Sequence, residues 1–319
     1  VGLYFTGQEF TSMSIEYAII VKNKTRLEAL IERFNTKAQA KFYIERSGGD
    51  FQEYIIEHEI FCAALAQVQQ RLSSVIKNKV VDRSFLPNYL FNEKNVIIVV
   101  GQDGLVANTA KYSRGVPIVA VNPDPKRYDG VLLPFDQHNF ITAIERVISG
   151  QYHYQMMRFA EAKLNDGQRL LAFNDLFIGA ASHVSARYKI NYNGEIEEHS
   201  SSGLLVSTKA GATGWLSSVF NMAYGVVNMF ENVPELRQPE LEDNELLFAV
   251  REPFKSLRTQ TQLSIGKVND AHSLIIESLM PSQGVIFSDG IETDFLKFNS
   301  GVIATIGLAE EQAKLVLRK

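Results

Sequence analysis

The sequence predicts two domains, an N-terminal α/β domain with a doubly wound parallel sheet and a β-rich antiparallel C-terminal domain. In the first half, short β-branched runs alternate with stretches of helical spacing, which is typical of βαβ units. In the second half, short strands follow one another, and Asn193-Gly194 joins two of them as a hairpin. The chain of 319 residues is long enough to bury two such cores.

The N-terminal elements alternate in the way a parallel sheet requires. Residues 1–14 mix polar and aromatic side chains and predict an extension. The clearest helix is 51–72, where apolar residues recur with a period of about 3.6. The expected elements are strand 17–21, helices 27–34 and 51–72, strands 78–82 and 96–100, helix 107–112, strand 117–121 and helix 140–148.

The second half is dominated by short apolar or alternating runs that indicate strands. A glycine-containing turn leads into one helix, from residue 215 to about 230, and the acidic stretch 232–244 predicts a solvated loop or linker. The expected strands are 159–164, 174–180, 184–192, 195–200, 204–207, 246–251, 262–265, 274–278, 285–287, 295–298 and 302–306.

Composition limits the classes of partner. The formal net charge is −4, so the sequence lacks the basic excess of a binder of nucleic acid or anionic membrane. No apolar run reaches membrane-spanning length. Cys62 is the only cysteine, which excludes an intramolecular disulfide and a cysteine metal site. We expect a buried, inert thiol and a reducing, cytoplasmic compartment.

The residues around Asp103 are the first candidate site. Five β-branched residues, 96–100, predict a strand buried on both faces, and Gly101-Gln102-Asp103-Gly104 follows it. Ligands of open α/β sheets bind beyond the carboxyl ends of such strands. The turn is therefore either a tight, partly strained loop that presents a catalytic carboxylate or a plain turn in which Asp103 caps the next helix.

Three further turns and one basic segment carry candidate chemistry. Asn174-Asp175 either caps a strand or binds ribose hydroxyls, and the small residues of 207–215 allow backbone N–H groups to face an anion. Ser288-Asp289-Gly290 alone indicates a hairpin turn. Lys22, Lys24 and Arg26 form either a solvated turn or a set of phosphate donors. The sequence contains no Walker motif, no G-x-G-x-x-G, no G-x-S-x-G and no zinc-like histidine spacing.

Taken in order, the four turns resemble the motifs of the NAD kinase family. That family carries a Gly-Gly-Asp-Gly loop, an Asn-Glu pair, a glycine- and serine-rich segment and a late Asp-Gly. Here they correspond to 101–104, Asn174-Asp175, 203–215 and Asp289-Gly290. The match covers nearly the whole chain from about Ser14 and is most similar to the mitochondrial-type branch.

The resemblance implies a fold, a reaction and a site. It implies an α/β domain at 15–145 to which 303–319 return, and a β-rich NAD-binding domain at 146–302. It implies transfer of a phosphoryl group from ATP or another donor to the 2′-hydroxyl of the adenosine ribose of NAD, giving NADP. Mg²⁺ would be bound mainly through nucleotide phosphates rather than by protein ligands, and a homo-oligomer, most simply a dimer, is expected.

The resemblance also assigns residues. Asp103 matches the proposed general base, and Asn174 with Asp175 matches the pair that holds NAD. Lys22, Lys24, Arg26 and Lys209 are candidate counter-charges for phosphates. The remaining expected nucleotide-binding residues are Gly101, Gln102, Gly104, Asn122, Thr208, Gly211, Ala212, Thr213 and Trp215.

The sequence departs from the family pattern at several positions. Gln102 replaces a glycine, Asp175 replaces a glutamate, and Ala212 and Gly214 replace serine and alanine. The Gln102 side chain would either crowd the phosphates or donate to them. Two alternatives to an NAD kinase stay open, the first because of these departures and the second because lipid kinases and phosphofructokinases also use a Gly-Gly-Asp-Gly loop. One is a catalytically weak or inactive nucleotide-binding protein of the same fold, and the other is a kinase of a lipid or sugar hydroxyl.

Overall fold

The computed structural model describes residues 5–6, 15–230 and 238–318. The chain forms two compact units, one of Val1–Met156 with Ala313–Lys319 and one of Met157–Gln312. The predicted extension 1–14 and the first part of the predicted loop 232–244 lie largely outside the described residues. Among the helices in the described part of the chain, none has the length and apolar character needed to span a bilayer.

The first unit is built on a parallel sheet. Its strands are β1 (Phe5–Thr6), β2 (Tyr17–Lys22), β3 (Lys77–Asp82), β4 (Asn95–Val100), β5 (Pro117–Asn122), β6 (Phe135–Asp136) and the start of β7 (His153–Leu164). Strands β3, β2, β4 and β5 are adjacent in that order, and the end of the final strand of the chain, Ile303–Val316, pairs with β5 in parallel. All six residues of β4 are buried, because it lies in the middle of this sheet.

Helices cover the sheet of the first unit. They are α1 (Arg26–Phe34), α2 (Lys37–Arg46), α3 (Phe51–Ser73), α4 (Asp103–Ala110) and α5 (Phe140–Ile148), with a 3₁₀ helix at Arg83–Asn88. The buried sides of α3 and α5 share one apolar core with β2, β4 and β5. Helix α1 begins within the basic segment 22–26, where the Thr25 hydroxyl and the Glu28 carboxylate form a capping box.

The second unit is a sandwich of antiparallel strands. After β7 come β8 (Arg169–Ala172), β9 (Asp175–Ala180), β10 (Ala186–Tyr192), β11 (Glu195–Ser201), β12 (Leu204–Ser207), a 3₁₀ turn (Gly211–Thr213), α6 (Trp215–Val227), β13 (Leu246–Val250), β14 (Ile265–Val268), β15 (Leu274–Ser278), β16 (Gly284–Ser288), β17 (Ile291–Lys297) and β18 (Ile303–Val316). One row runs β11-β10-β15-β18 and the other β14-β13-β12-β9-β16-β17. One apolar core lies between them.

The fold class is confirmed, and four local predictions are corrected. Helix α2 has no counterpart among the predicted elements, because only Ala40 of it is buried and it lacks an apolar stripe. Helix α4 begins at Asp103 rather than Ala107, since the Gln102 carbonyl accepts from the backbone N–H groups of Leu105 and Val106. The last strand continues to Val316 rather than ending near 306.

The fourth correction concerns Cys62, which is exposed rather than buried. It lies on the outer side of α3, one turn after His58, with 3.6 Å between Sγ and Nε2. Partial burial still raises the pKa of the thiol, so the thiolate is not favoured there.

Candidate active site

Asp103 lies at the carboxyl end of the central strand β4, as the first residue of α4. Its carboxylate accepts two backbone N–H groups, from Val131 to Oδ2 at 3.1 Å and from Leu132 to Oδ1 at 2.9 Å. These donors belong to the loop of residues 124–132, between β5 and β6. Because each carboxylate oxygen has two lone pairs, the anchored group can still accept a substrate hydroxyl.

Gln102 fits its turn without strain. Its φ of −102° and ψ of 168° are those of extended backbone, so the turn does not require glycine at this position. The Gln102 side chain interacts with the phenol of Tyr128, whose pKa is raised chiefly by burial and lowered by Gln102. The prediction of a partly strained loop is therefore wrong, since none of residues 101–104 has a positive φ.

The Asn122 side chain holds the 124–132 loop through two hydrogen bonds. Its side-chain amide donates to the Tyr128 carbonyl at 2.9 Å, and its Oδ1 accepts from the Asp124 N–H at 3.0 Å. The side chain is 4% exposed, so both of these bonds are shielded from water. In the described structure Asn122 therefore organises the loop that holds Asp103. The prediction that it binds nucleotide is not tested by these contacts.

The predicted phosphate-binding cations are all ion-paired. Lys22 lies 3.7 Å from Asp82, Lys24 pairs with Glu32 at 2.7 Å, and Lys209 pairs with Asp243 at 2.9 Å. The Nε of Arg26 donates to Glu57 at 2.6 Å. The lysine pairs are at least partly exposed, and exposed pairs of this kind are weak.

In the second unit, Asp289 gathers the Asn174-Asp175 turn. Its carboxylate accepts backbone N–H groups from Phe173 at 3.2 Å and from Asn174 at 2.6 Å. In return, the Asp289 N–H donates to the Asp175 carbonyl at 3.0 Å. Asp289 and Gly290 both have positive φ, of 54° and 69°, as a tight hairpin turn between β16 and β17 requires. The late Asp-Gly motif thus acts as a clamp on the earlier Asn-Asp motif.

Thr208 joins the third motif to the same turn. Its N–H donates to the Asn174 carbonyl at 2.9 Å, and its hydroxyl donates to the Phe173 carbonyl at 2.7 Å. The same hydroxyl oxygen accepts from the N–H of Gly211 at 3.2 Å. Three segments that are far apart in sequence therefore form one hydrogen-bonded cluster.

Replacing Gly211 by alanine should destabilise this cluster. A Cβ at Gly211 would overlap the backbone carbonyl of Asn174, which cannot move without breaking the bonds around Thr208. We expect a loss of about 1–3 kcal/mol or more in the free energy of unfolding, measured by urea denaturation. Gly225→Ala is the matched control, because it lies exposed within α6 with no atom within 4 Å of the added Cβ. It should stabilise by about 0.5–1 kcal/mol, and an equal response of the two variants would contradict the close approach.

Asp175 is a buried carboxylate with an altered acidity. It is 8% exposed, and burial together with the nearby charge of Asp289 raises its pKa to about 7. Among the described residues, no side chain or backbone N–H donates to its carboxylate. The group is therefore a buried acceptor available to a ligand hydroxyl.

Trp215 stands beside this cluster at the start of α6. Its ring stacks on Phe177, with 5.7 Å between centroids and 8° between planes, and the Arg251 guanidinium lies 5.2 Å from its centroid. Ala212 packs in the small core around Leu216, whereas Thr213 is exposed. Of the predicted segment, Thr208 thus bonds Asn174 directly and Gly211 bonds Thr208, while Trp215 forms a separate aromatic surface.

Comparisons with known proteins agree with this architecture. The chain superimposes on yeast NADH kinase in complex with NADH with a TM-score of 0.60 and 14% identity, over 99% of this chain and 89% of the other. An NAD kinase from Archaeoglobus fulgidus in complex with ATP gives a TM-score of 0.53 and 15% identity, over 94% and 92%. The chain has the NAD kinase fold.

Sequence comparison finds similarity to proteins named NAD kinase. An NAD kinase of Heliobacterium modesticaldum is 30% identical over 129 residues, which is 38% of this chain and 44% of that protein. An NAD kinase of Saccharolobus islandicus is 26% identical over 152 residues, or 48% and 55%. The chain thus spans about half the length of the curated relatives it matches. No protein-family model matches the chain. The resemblance to NAD kinases is confirmed, whereas the assignment to a mitochondrial-type branch stays a prediction.

Within this NAD kinase fold, the structure adds two residues that the sequence did not predict, Glu57 and Arg127. Arg127 of the 124–132 loop and Arg26 both contact the carboxylate of Glu57 on α3. A signal was available, because Glu57 lies on the same helical face as the buried Ala64, Val68 and Leu72. A charged residue on an apolar stripe implies a partner, but the sequence did not show which one.

Proposed function

We propose that this chain phosphorylates the 2′-hydroxyl of the adenosine ribose of NAD, giving NADP. The observation that carries the proposal is the anchored carboxylate of Asp103, at the carboxyl end of the central parallel strand of an NAD kinase fold. The related solved structures, which hold NADH and ATP, support a dinucleotide acceptor and ATP as the donor.

Asp103 would orient the hydroxyl and accept its proton late in the transfer. Phosphoryl transfer depends chiefly on in-line positioning and on neutralising charge, so a fixed acceptor is what the reaction needs. The N–H groups of Val131 and Leu132 hold both carboxylate oxygens and so limit rotation of the side chain. General-base assistance of this kind contributes on the order of a hundredfold or more.

Asn174 and Asp175 would hold NAD, with the turn of 208–211 and the Trp215 surface beside them. Asp289 and Thr208 hold the backbone of this turn through hydrogen bonds, so the turn does not depend on the side chains of Asn174 and Asp175. The buried Asp175 carboxylate would accept hydrogen bonds from ribose hydroxyls. Because the carboxylate is buried, water competes little for these bonds.

The cations and Mg²⁺ would neutralise the phosphates. Lys22, Lys24 and Lys209 would exchange carboxylate partners for phosphate oxygens. Arg26 would turn its remaining N–H groups to phosphate while it stays paired with Glu57. The described residues contain no cluster of three or more histidine, cysteine or acidic side chains arranged to hold a metal ion. Mg²⁺ prefers oxygen ligands and commonly binds through substrate phosphates, where it offsets the charge that develops during transfer.

The decisive test is NADP formation by the purified chain. NAD with Mg²⁺ is supplied with ATP, other nucleoside triphosphates or polyphosphate, and NADP is measured with an NADP-specific dehydrogenase. Saturable NADP production supports the proposal. Binding of NAD by calorimetry without turnover on any donor would favour a nucleotide-binding protein instead. A lipid or sugar kinase would show turnover of that hydroxyl substrate without competition by NAD.

Replacing Gln102 by glycine should not raise activity. The backbone at Gln102 is extended, so the turn accommodates this residue without strain and the side chain interacts with Tyr128. We expect kcat for NADP formation to stay the same or to fall by up to about tenfold, because the turn becomes more flexible. An increase in kcat would show instead that Gln102 obstructs the phosphates and that the chain is a weakened kinase.

Three finer statements belong to the same proposal. We propose domain limits of 15–145 with 303–319 and 146–302, which differ from the limits of the two compact units, and a cytoplasmic compartment. The chain forms a homodimer, which light scattering would test. Exposed apolar side chains at the end of α6, among them Met222, Val226 and Phe230, are consistent with self-association.

A further inference from the structure

Glu57 is a buried carboxylate between two arginines. It is 9% exposed and accepts from Arg26 Nε at 2.6 Å and from Arg127 at 3.3 Å. Arg26 begins α1, Glu57 lies on α3, and Arg127 belongs to the 124–132 loop. One carboxylate thus fastens the loop to two helices, and Glu57 lies on the buried face of α3 together with Ala64 and Val68.

The fastened loop is the one that holds Asp103. Arg127 is three residues before Gly130, and the next two residues donate their N–H groups to the Asp103 carboxylate. Arg127 also lies 3.6 Å from Asp124, so its guanidinium ties the beginning of the loop to Glu57 as well. The path from Glu57 to Asp103 therefore consists of one ion pair, a short piece of backbone and two hydrogen bonds.

Only part of the hold on the loop comes from Glu57. Asn122 donates to the Tyr128 carbonyl and accepts from the Asp124 N–H. Gly130 has a φ of 64°, and a Cβ there would lie 2.8 Å from the Asn122 amide. The loop would therefore keep its path without Glu57, but the segment from Arg127 to Leu132 would lose the ion pair that anchors it.

We propose that Glu57 is a positioning residue for phosphoryl transfer, which acts through Arg127 and the 124–132 loop on the orientation of Asp103. This inference rests on the proposed function. Glu57 has no contact with Asp103 and is not assigned to the reacting atoms. Its effect belongs to kcat rather than to the KM for NAD, because the loop orients the base rather than holding the dinucleotide.

Two variants and a matched control test this assignment in the full chain. Glu57→Gln removes the buried negative charge. Arg127→Gln removes the arginine of the loop, and because Arg127 is partly exposed this change should destabilise the fold less. Glu59→Gln is the control, since it removes an exposed carboxylate two residues further along α3. We expect kcat to fall by about ten- to a hundredfold in the first two variants, with little change in the KM for NAD. The double variant should be no worse than the poorer single one.

Amide hydrogen exchange gives a second readout that does not depend on activity. The N–H groups of Val131 and Leu132 should exchange faster in Glu57→Gln and Arg127→Gln than in the wild type. In Glu59→Gln their exchange rates should be unchanged. Unchanged exchange in both variants, or faster exchange with unaltered kcat, would overturn the positioning role. If the wild-type chain makes no NADP with any donor, the proposed function fails. In that case the exchange data still decide whether Glu57 anchors the loop.

Discussion

Replacing Asp103 by asparagine is expected to lower the rate of NADP formation by a hundredfold or more. Asparagine keeps the size of the side chain but cannot accept the proton of the ribose hydroxyl, and its amide nitrogen cannot accept the N–H of Val131 or Leu132. General-base assistance is worth about 10²–10⁴ in rate, so this should be the largest single effect on turnover. The measurement is kcat and KM for NAD at saturating donor.

Asp129→Asn is the matched control for this experiment. Asp129 lies exposed in the same 124–132 loop. Its substitution removes one negative charge, as Asp103→Asn does, but leaves the carboxylate of Asp103 in place. Turnover close to that of the wild type is expected. If the Asp103 and Asp129 variants are equally active, Asp103 has no role in the transfer. Thermal unfolding of both variants must be compared, since loss of one of the two loop hydrogen bonds should cost about 1 kcal/mol.

Replacing Asp175 by asparagine should stabilise the protein at alkaline pH. The pKa of Asp175 is about 7 in the folded chain, compared with about 3.9 in an unfolded one. Between these two values the folded state keeps a proton that the unfolded state has released. The free energy of unfolding therefore falls by about 1.4 kcal/mol per pH unit from pH 4 to pH 7, up to about 4 kcal/mol in all.

The asparagine variant lacks this titration, so its gain in stability should depend on pH. Urea unfolding at pH 8 should show the variant more stable than the wild type by up to about 4 kcal/mol, and the difference should shrink towards pH 4. A gain that is the same at both pH values would contradict the raised pKa. Asp289→Asn is the contrasting variant. It should destabilise at both pH values, because the Asp289 carboxylate accepts the N–H groups of Phe173 and Asn174.

Replacing Asp175 by asparagine should also weaken the binding of NAD. A carboxylate accepts two hydroxyl donors at once, whereas an asparagine side chain offers one acceptor oxygen. We expect the Kd for NAD to rise by about ten- to a hundredfold at pH 8, measured by calorimetry. Higher stability together with weaker binding is the signature of a buried group kept for a ligand rather than for folding.

Much of the fold could be predicted because its signals are local. The run 96–100 is β-branched throughout, and the structure buries all of β4 in the parallel sheet. Asn193-Gly194 predicts a hairpin, and both residues have the positive φ that the turn requires. Helix α2 was missed because it buries only Ala40, and the start of α4 was misplaced because Gly101-Gln102-Asp103-Gly104 has the composition of a turn.

The sequence by itself determined the two-domain class, the order of the four motifs and the carboxylate at the end of the central strand. Only the tertiary structure decided that Asp289 clamps Asn174, that Thr208 closes the same cluster, and that Glu57 anchors the loop on Asp103. The physical reason is range. Periodicity and turn composition reflect forces between neighbours in the chain, whereas these bonds join residues whose spacing in the sequence carries no period. Their geometry exists only after the strands and helices have packed.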